Sequence, residues 1–172
     1  MPITYKALAK VTVGSTPVST IEFTSIPQTY TDLKVVLSPR TTVDCAFALR
    51  FNSNTANYSG KVLRGSGSAV ATYLVTDYGA FTSTAMGLGY IKSASSTFAI
   101  GEIYITNYTD SAHKMVGIEQ LEEQNSASPV YLTMTAGLWA NTSAITSITF
   151  IPDSSTTFQQ YSTATLYGIK SS

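Results

Sequence analysis

Short runs in which apolar and polar residues alternate, separated by clusters of Gly, Pro, Asn and Ser, constrain the fold of this chain most strongly. In residues 33–37 the alternation places Leu33, Val35 and Leu37 on one face and Lys34 on the other. The next run places Arg50 opposite four apolar residues, which are Cys45, Phe47, Leu49 and Phe51. A period of two residues is typical of a strand that is buried on one face. We therefore predict that both runs are strands with one face in the core.

Similar runs recur along the whole chain. We predict further strands at residues 6–13, 20–24, 62–64, 71–76, 98–106, 115–121, 131–139, 145–151 and 163–170. Segment 115–121 also has apolar residues three apart, which suits a helical turn, but we prefer the strand. About ten short strands are typical of one antiparallel β-sandwich. We predict an all-β, jelly-roll-like sandwich that spans residues 1–172 as a single domain.

The charge of the chain argues against a nucleic-acid partner. Charged residues make up only 12% of the chain, and ten basic and ten acidic residues give a formal net charge of zero. Proteins that bind DNA or RNA usually carry a basic patch that neutralises phosphates. A hydrophobic content of 44%, with eleven Tyr and seven Phe, is instead typical of a chain that folds around a core.

The sequence does not predict entry into a membrane or a secretory pathway. The first residues, MPITYKALAKVTVG, contain no basic start followed by a long apolar stretch. No segment approaches the roughly 20 consecutive apolar residues of a membrane-spanning helix. We expect the protein to be made in the cytoplasm and to have no membrane partner.

Few residues offer catalytic chemistry. Cys45 alternates with apolar residues, and a buried Cys usually packs as a small apolar group. His113 lies in the polar stretch TDSAHKM and is interpreted as a solvated loop residue. Glu119, Glu122 and Glu123 form an acidic cluster, and a glycosidase needs two carboxylates at a fixed separation. Because adjacent strand residues point to opposite faces, we prefer a solvated turn, keep a glycan hydrolase as a third hypothesis and predict no enzymatic activity.

The sequence also predicts no metal and no cofactor. A single Cys and a single His exclude an internal disulfide and any site built from several thiolates or imidazoles. Asp110 and Asp153 each supply one carboxylate, which is fewer than calcium needs. The GSGS sequence at residues 65–68 lacks the Lys and the following helix of a phosphate-binding loop.

Aromatic residues are the remaining candidates for binding. The candidates are Tyr73, Tyr78, Phe81, Tyr90 and Trp139. Such rings can form a stacking platform for sugars, but they can also fill a core or a protein interface, and we prefer the second interpretation. Trp139 lies on the opposite face of its strand from the apolar residues at 132–138. If that second face points outward, Trp139 is a contact residue, so the candidate interface comprises Tyr73, Tyr78, Tyr90 and Trp139.

Three stretches resemble a known family. They are EFTSIPQTYTDLKVVLSPR at residues 22–40, LRFNSNTANYS at residues 49–59, and LWANTSAITSITFIPDSSTTFQQYSTATLYGIK at residues 138–170. The chain resembles small virion structural proteins of tailed bacteriophages, especially cyanophages and other aquatic phages. The motifs TSIPQTYTDL and LYGIK carry the resemblance most specifically, and both are motifs of the fold rather than of a catalytic site.

The resemblance implies a sandwich subunit on the virion, on either the capsid or the tail. We expect a capsid decoration (cement) protein that stabilises the head by binding the lattice of the major capsid protein. The alternative is a tail or tail-fibre component whose sandwich binds carbohydrate. Because capsid lattices offer symmetric positions, we also expect a homo-oligomer, with a trimer favoured.

Overall fold

A computed structural model of the chain describes residues 4–75, 84–124, 130–153 and 156–170. These residues contain twelve β-strands and no α-helix, which confirms the all-β prediction with two more strands than expected. The strands are β1 (Thr4–Thr12), β2 (Ile21–Phe23), β3 (Asp32–Ser38), β4 (Cys45–Phe51), β5 (Tyr58–Gly65), β6 (Val70–Leu74), β7 (Met86–Ile91), β8 (Ile100–Ile105), β9 (Lys114–Leu121), β10 (Leu132–Trp139), β11 (Ile148–Pro152) and β12 (Thr163–Lys170).

The strands form two antiparallel sheets. The larger sheet has eight strands in the order β1-β12-β3-β8-β9-β10-β5-β6, and the smaller has four in the order β2-β11-β4-β7. The chain crosses between the sheets at most connections, as in a jelly roll, although a regular jelly roll has about eight strands. Strand β7 contacts β5, β9 and β10 of the larger sheet. The smaller sheet therefore covers the inner face of those three strands.

The core contains the residues of β3 and β4 that the alternation predicts to face inward. Strand β3 buries Leu33, Val35 and Leu37 and leaves the intervening residues half-buried. On β4 the four predicted apolar residues are buried, while Arg50 is half-buried and its Nε donates a 2.9 Å hydrogen bond to the carbonyl oxygen of Thr84. Segment 115–121 belongs to strand β9, which confirms the strand interpretation over the helical turn.

Strand β7 is the one strand of the described residues that no predicted segment overlaps. Its sequence, MGLGYI, contains two glycines, which weaken a strand pattern. Gly89 has a φ of 154°, and a Cβ added there would overlap Oε1 of Gln120. The Gln120 side chain reaches from the larger sheet and donates a hydrogen bond to the carbonyl oxygen of Tyr90. Close packing between the sheets therefore requires the glycine.

Candidate functional site

An apolar area lies on the outer face of the larger sheet, over strands β5, β6, β8, β9 and β10. The register of these strands brings together eight exposed side chains, which are Leu63, Val70, Leu74, Ile100, Met115, Leu121, Leu132 and Met134. We call this area the apolar half. Single exposed apolar residues are ordinary, whereas a contiguous group of this size usually marks an interaction surface.

The inner face beneath the apolar half is unusually polar. Strands β9 and β10 bury four polar or charged side chains, which are Lys114, Gln120, Thr133 and Thr135. Nζ of Lys114 donates hydrogen bonds to the carbonyl oxygens of Asp110, at 2.6 Å, and Ala112. At Gly137 a Cβ would overlap Sδ of Met86, so β7 packs directly onto β10. Close approach of the two sheets leaves little room for large apolar side chains there.

The other part of the outer face, over β1, β12 and β3, is more polar. We call it the polar half. Nζ of Lys34 lies 2.7 Å from Oε2 of Glu102, at the border between the halves. The hydroxyl of Tyr104 donates a 2.6 Å hydrogen bond to Asp32, and this bond raises the pKa of Tyr104 to about 12. The outward residues of β12 include Thr165, which is half-buried.

Two hollows indent the outer face. The larger, of about 600 Å³, is lined by residues that include Lys61, Leu63, Met134 and Ala136, and the smaller, of about 280 Å³, shares Met134 with it. Gly117 lies in the smaller hollow, and a Cβ added to it would meet no atom within 4 Å. The apolar half is therefore an indented surface that can receive side chains from another molecule.

Charges of opposite sign flank the centre of the apolar half. Lys61 lies on β5 and Glu119 on β9, on either side of β10. Glu119 is directly opposite Glu102 on the neighbouring strand β8, and Glu102 is paired with Lys34. Within the described residues, neither Lys61 nor Glu119 takes part in an ion pair. Like charges directly opposite each other on a sheet are destabilising, and here two carboxylates share one lysine.

Trp139 points inward, whereas its predicted role as a contact residue required its face of β10 to point outward. It is 1% exposed, and its ring centroid lies 5.4 Å from that of Phe51 and 6.4 Å from that of Tyr58. The prediction that Trp139 lies on the opposite face from the apolar residues of β10 is correct. Those apolar residues, Leu132 and Met134 among them, are the ones that face outward. The candidate interface therefore loses Trp139 and gains its neighbours on the strand.

Two of the predicted tyrosines come together at one end of the sandwich. The guanidinium carbon of Arg64 lies 4.6 Å from the ring centroid of Tyr73 and 4.2 Å from that of Tyr131. Tyr90 adds its ring 6.0 Å from the same carbon. Stacking of a guanidinium on aromatic rings is favourable, so these residues stabilise one another. The remaining aromatic candidates, Tyr78 and Phe81, lie outside the described residues.

A buried carboxyl group lies beside this cluster. Glu122 is 7% exposed, and within the described part of the chain neither of its carboxyl oxygens has a hydrogen-bond partner. Burial raises the pKa of Glu122 to about 7 and Asp44 adds to the rise, although Lys92, Arg64 and the nearby backbone N–H of Tyr131 act in the opposite direction. An unpaired buried carboxylate is costly, which favours the protonated form.

The structure separates the residues considered for catalysis. Cys45 is buried, and burial raises the pKa of its thiol, as expected for a core residue. His113 is exposed, as predicted. Glu119 points outward on β9, whereas Glu122 is buried and Glu123 is exposed. The three glutamates therefore do not converge on one site.

No group of three or more His, Cys, Asp and Glu side chains suited to a metal ion occurs in the described ranges. The predicted candidate Asp110 is exposed, and the segment that starts at Asp153 continues into residues outside those ranges. Of the same described residues, none belongs to a helix with the length and apolar character needed to cross a membrane. The chain matches no protein-family model, no curated protein and no solved structure.

Proposed function

We propose that the protein is a non-enzymatic structural subunit of a tailed-phage virion, and that it acts as a capsid decoration protein on the lattice of the major capsid protein. The observation that carries the proposal is the apolar half, an indented surface whose exposed side chains lie outside the core of the chain. The family resemblance of the sequence supports it. Proteins of an assembled particle gain stability by burying such surfaces against their neighbours.

The low charge of the chain supports assembly with neighbouring protein chains through apolar contacts. With only 12% charged residues, the protein has few side chains that can form ion pairs with a partner. Exposed ion pairs also contribute little to the free energy of binding. We therefore expect its binding to virions to change little between low and moderate salt. A homo-trimer placed at three-fold positions of the lattice is the assembly we favour.

A second candidate function, carbohydrate binding in a tail or tail fibre, is favoured by the tyrosine cluster. Tyr73, Tyr90 and Tyr131 lie around Arg64 at one end of the sandwich. Aromatic faces beside a polar side chain are a common means of holding sugars. Arg64 already stacks on two of the rings, so the decoration function is preferred.

A reconstruction of virions of the phage that encodes the chain tests the proposal. We expect the protein on the outside of the capsid, with the apolar half against another protein chain. Virions stripped of it should stay assembled but rupture at lower temperature or under milder osmotic shock. If the protein is found on the tail, and its removal abolishes adsorption to host cells while the capsid stays equally robust, the carbohydrate-binding function replaces the first. A virion that lacks the protein altogether contradicts both.

A further inference from the structure

We propose that a second copy of this chain covers the apolar half, with the β5–β6 side of one copy against the β8–β9 side of the next. This inference rests on the proposed role of the apolar half in assembly, and it names the occupant of that surface. The outward positions of β9 and β10 carry the first argument. Met115 and Leu132 are 54% and 53% exposed, while the same two strands bury Lys114, Gln120 and Thr133.

The size of the surface suits an interface between folded chains. Five strands at a spacing of about 4.8 Å are about 24 Å wide, and six extended residues are about 20 Å long. The flat area is thus on the order of 500 Å², and its indentations add to the accessible area. This approaches the roughly 600 Å² per partner at the lower end of stable interfaces.

The distribution of charge identifies the occupant as a second copy. Glu119 and Glu102 face each other across β8 and β9, with Lys34 bonded to Glu102. Lys61 is two strands away from Glu119, on the far side of β10 and of Met134. When the β5 side of one copy meets the β9 side of another, Lys61 supplies a second cation to the two carboxylates. A second copy of this chain presents Lys61 next to apolar side chains that can pack against the apolar half of the first copy.

Because the β5–β6 side and the β8–β9 side of the apolar half are complementary, a symmetric oligomer makes the same contact at every interface. A two-fold axis parallel to β10 and between the facing sheets places the strand of each Lys61 over the partner's Glu119, with the two residues two strand positions apart. A three-fold ring makes the same contact three times in one direction. Either arrangement closes and covers every apolar half. The proposal therefore predicts a closed oligomer with no free apolar half.

Sedimentation or light scattering of the purified chain tests the proposal first. We expect one discrete dimer or trimer at micromolar concentration, and a monomer at the same concentration overturns the inference. Met134→Lys, at the centre of the surface, should weaken association about tenfold or more, while Thr165→Lys in the polar half should leave it unchanged. Circular dichroism establishes that both variants keep the all-β fold. Equal effects of the two variants would contradict the choice of surface.

Charge reversal tests the proposed contact between Lys61 and Glu119. Lys61→Glu and Glu119→Lys should each weaken association, because each places like charges together. The double variant should restore association, since the pair is re-formed with its signs exchanged. If the loss of association free energy in the double variant equals the sum of the losses in the two single variants, Lys61 and Glu119 do not meet across the interface and the inference is overturned.

Binding to virions separates this inference from the proposed function. A chain that is monomeric in solution, yet binds stripped virions through the apolar half, overturns the second copy as occupant and supports the decoration function. A closed oligomer that responds to Met134→Lys but does not bind virions supports the inference and contradicts that function. The two proposals therefore fail on different measurements.

Discussion

The strand pairs β3–β12 and β9–β10 belong to the same sheet, but the outer face of β9–β10 is more apolar than that of β3–β12. On β3 the inward positions carry apolar residues such as Leu33 and Val35, and on β12 Thr165 points outward. On β9 and β10 the exposed positions include Met115 and Leu132. Backbone pairing is antiparallel in both pairs. The difference therefore lies in the side chains of the two outer faces rather than in the pairing of the strands.

This comparison shows that the apolar residues of β9 and β10 are not explained by the core. A strand with one solvated face normally exposes polar residues there, as β12 does. An exposed apolar face lowers solubility and favours association. We therefore expect substitutions on the inner face of β10 to change the stability of the chain, and substitutions on its outer face to change assembly.

The largest expected effect is that of Trp139→Ala. Trp139 is fully buried against Phe51 and Tyr58, so its removal leaves a cavity and should lower the free energy of unfolding by about 3–5 kcal/mol. Leu132→Ala, on the outer face of the same strand, should cost under about 1 kcal/mol in the monomer. Urea unfolding at concentrations low enough for the chain to be monomeric measures both. Equal costs would mean that the two faces of β10 do not differ as described.

The next effect concerns pH and the buried carboxyl group that follows β9. Burial raises the pKa of Glu122 to about 7 in the folded chain, from 4.5 for a solvated glutamate. The folded state then binds more protons than the unfolded state between these values, so stability falls as pH rises through this window and levels off above it. Glu122→Gln should remove this dependence and stabilise the chain at about pH 8 by about 3 kcal/mol.

Glu123→Gln is the matched control for this prediction. Glu123 is adjacent in sequence but exposed, so its substitution removes no buried carboxyl group and should change the free energy of unfolding much less than Glu122→Gln does. Thermal unfolding of both variants from about pH 5 to about pH 8 makes the comparison. A wild-type chain whose stability rises across that window would contradict the assignment of Glu122.

The strands can be predicted well from the sequence because alternation reports burial directly. It locates Leu33 in the core and places Trp139 opposite Leu132. Alternation does not predict which face of β10 is inward, because both faces carry apolar residues and the answer depends on where β7 packs. The sequence does not predict β7, because glycines weaken the strand pattern there. Gly89 is required by the packing of the Gln120 side chain from the other sheet, which no local pattern reveals. Pairing between distant strands, which brings β5 and β9 to either side of β10, leaves no local pattern.

The smallest effect is expected for Thr135→Val on the inner face of β10. Oγ1 of Thr135 is buried and, among the described residues, has no hydrogen-bond partner. Valine has nearly the same shape without the hydroxyl group, so the substitution should stabilise the chain by about 1 kcal/mol. Thr165→Val, on the outer face of β12, should change stability by less than about 0.5 kcal/mol. Urea unfolding measures both variants, and a destabilised Thr135→Val would show that the hydroxyl group is hydrogen-bonded and that the inner face of β10 tolerates polar groups by pairing them.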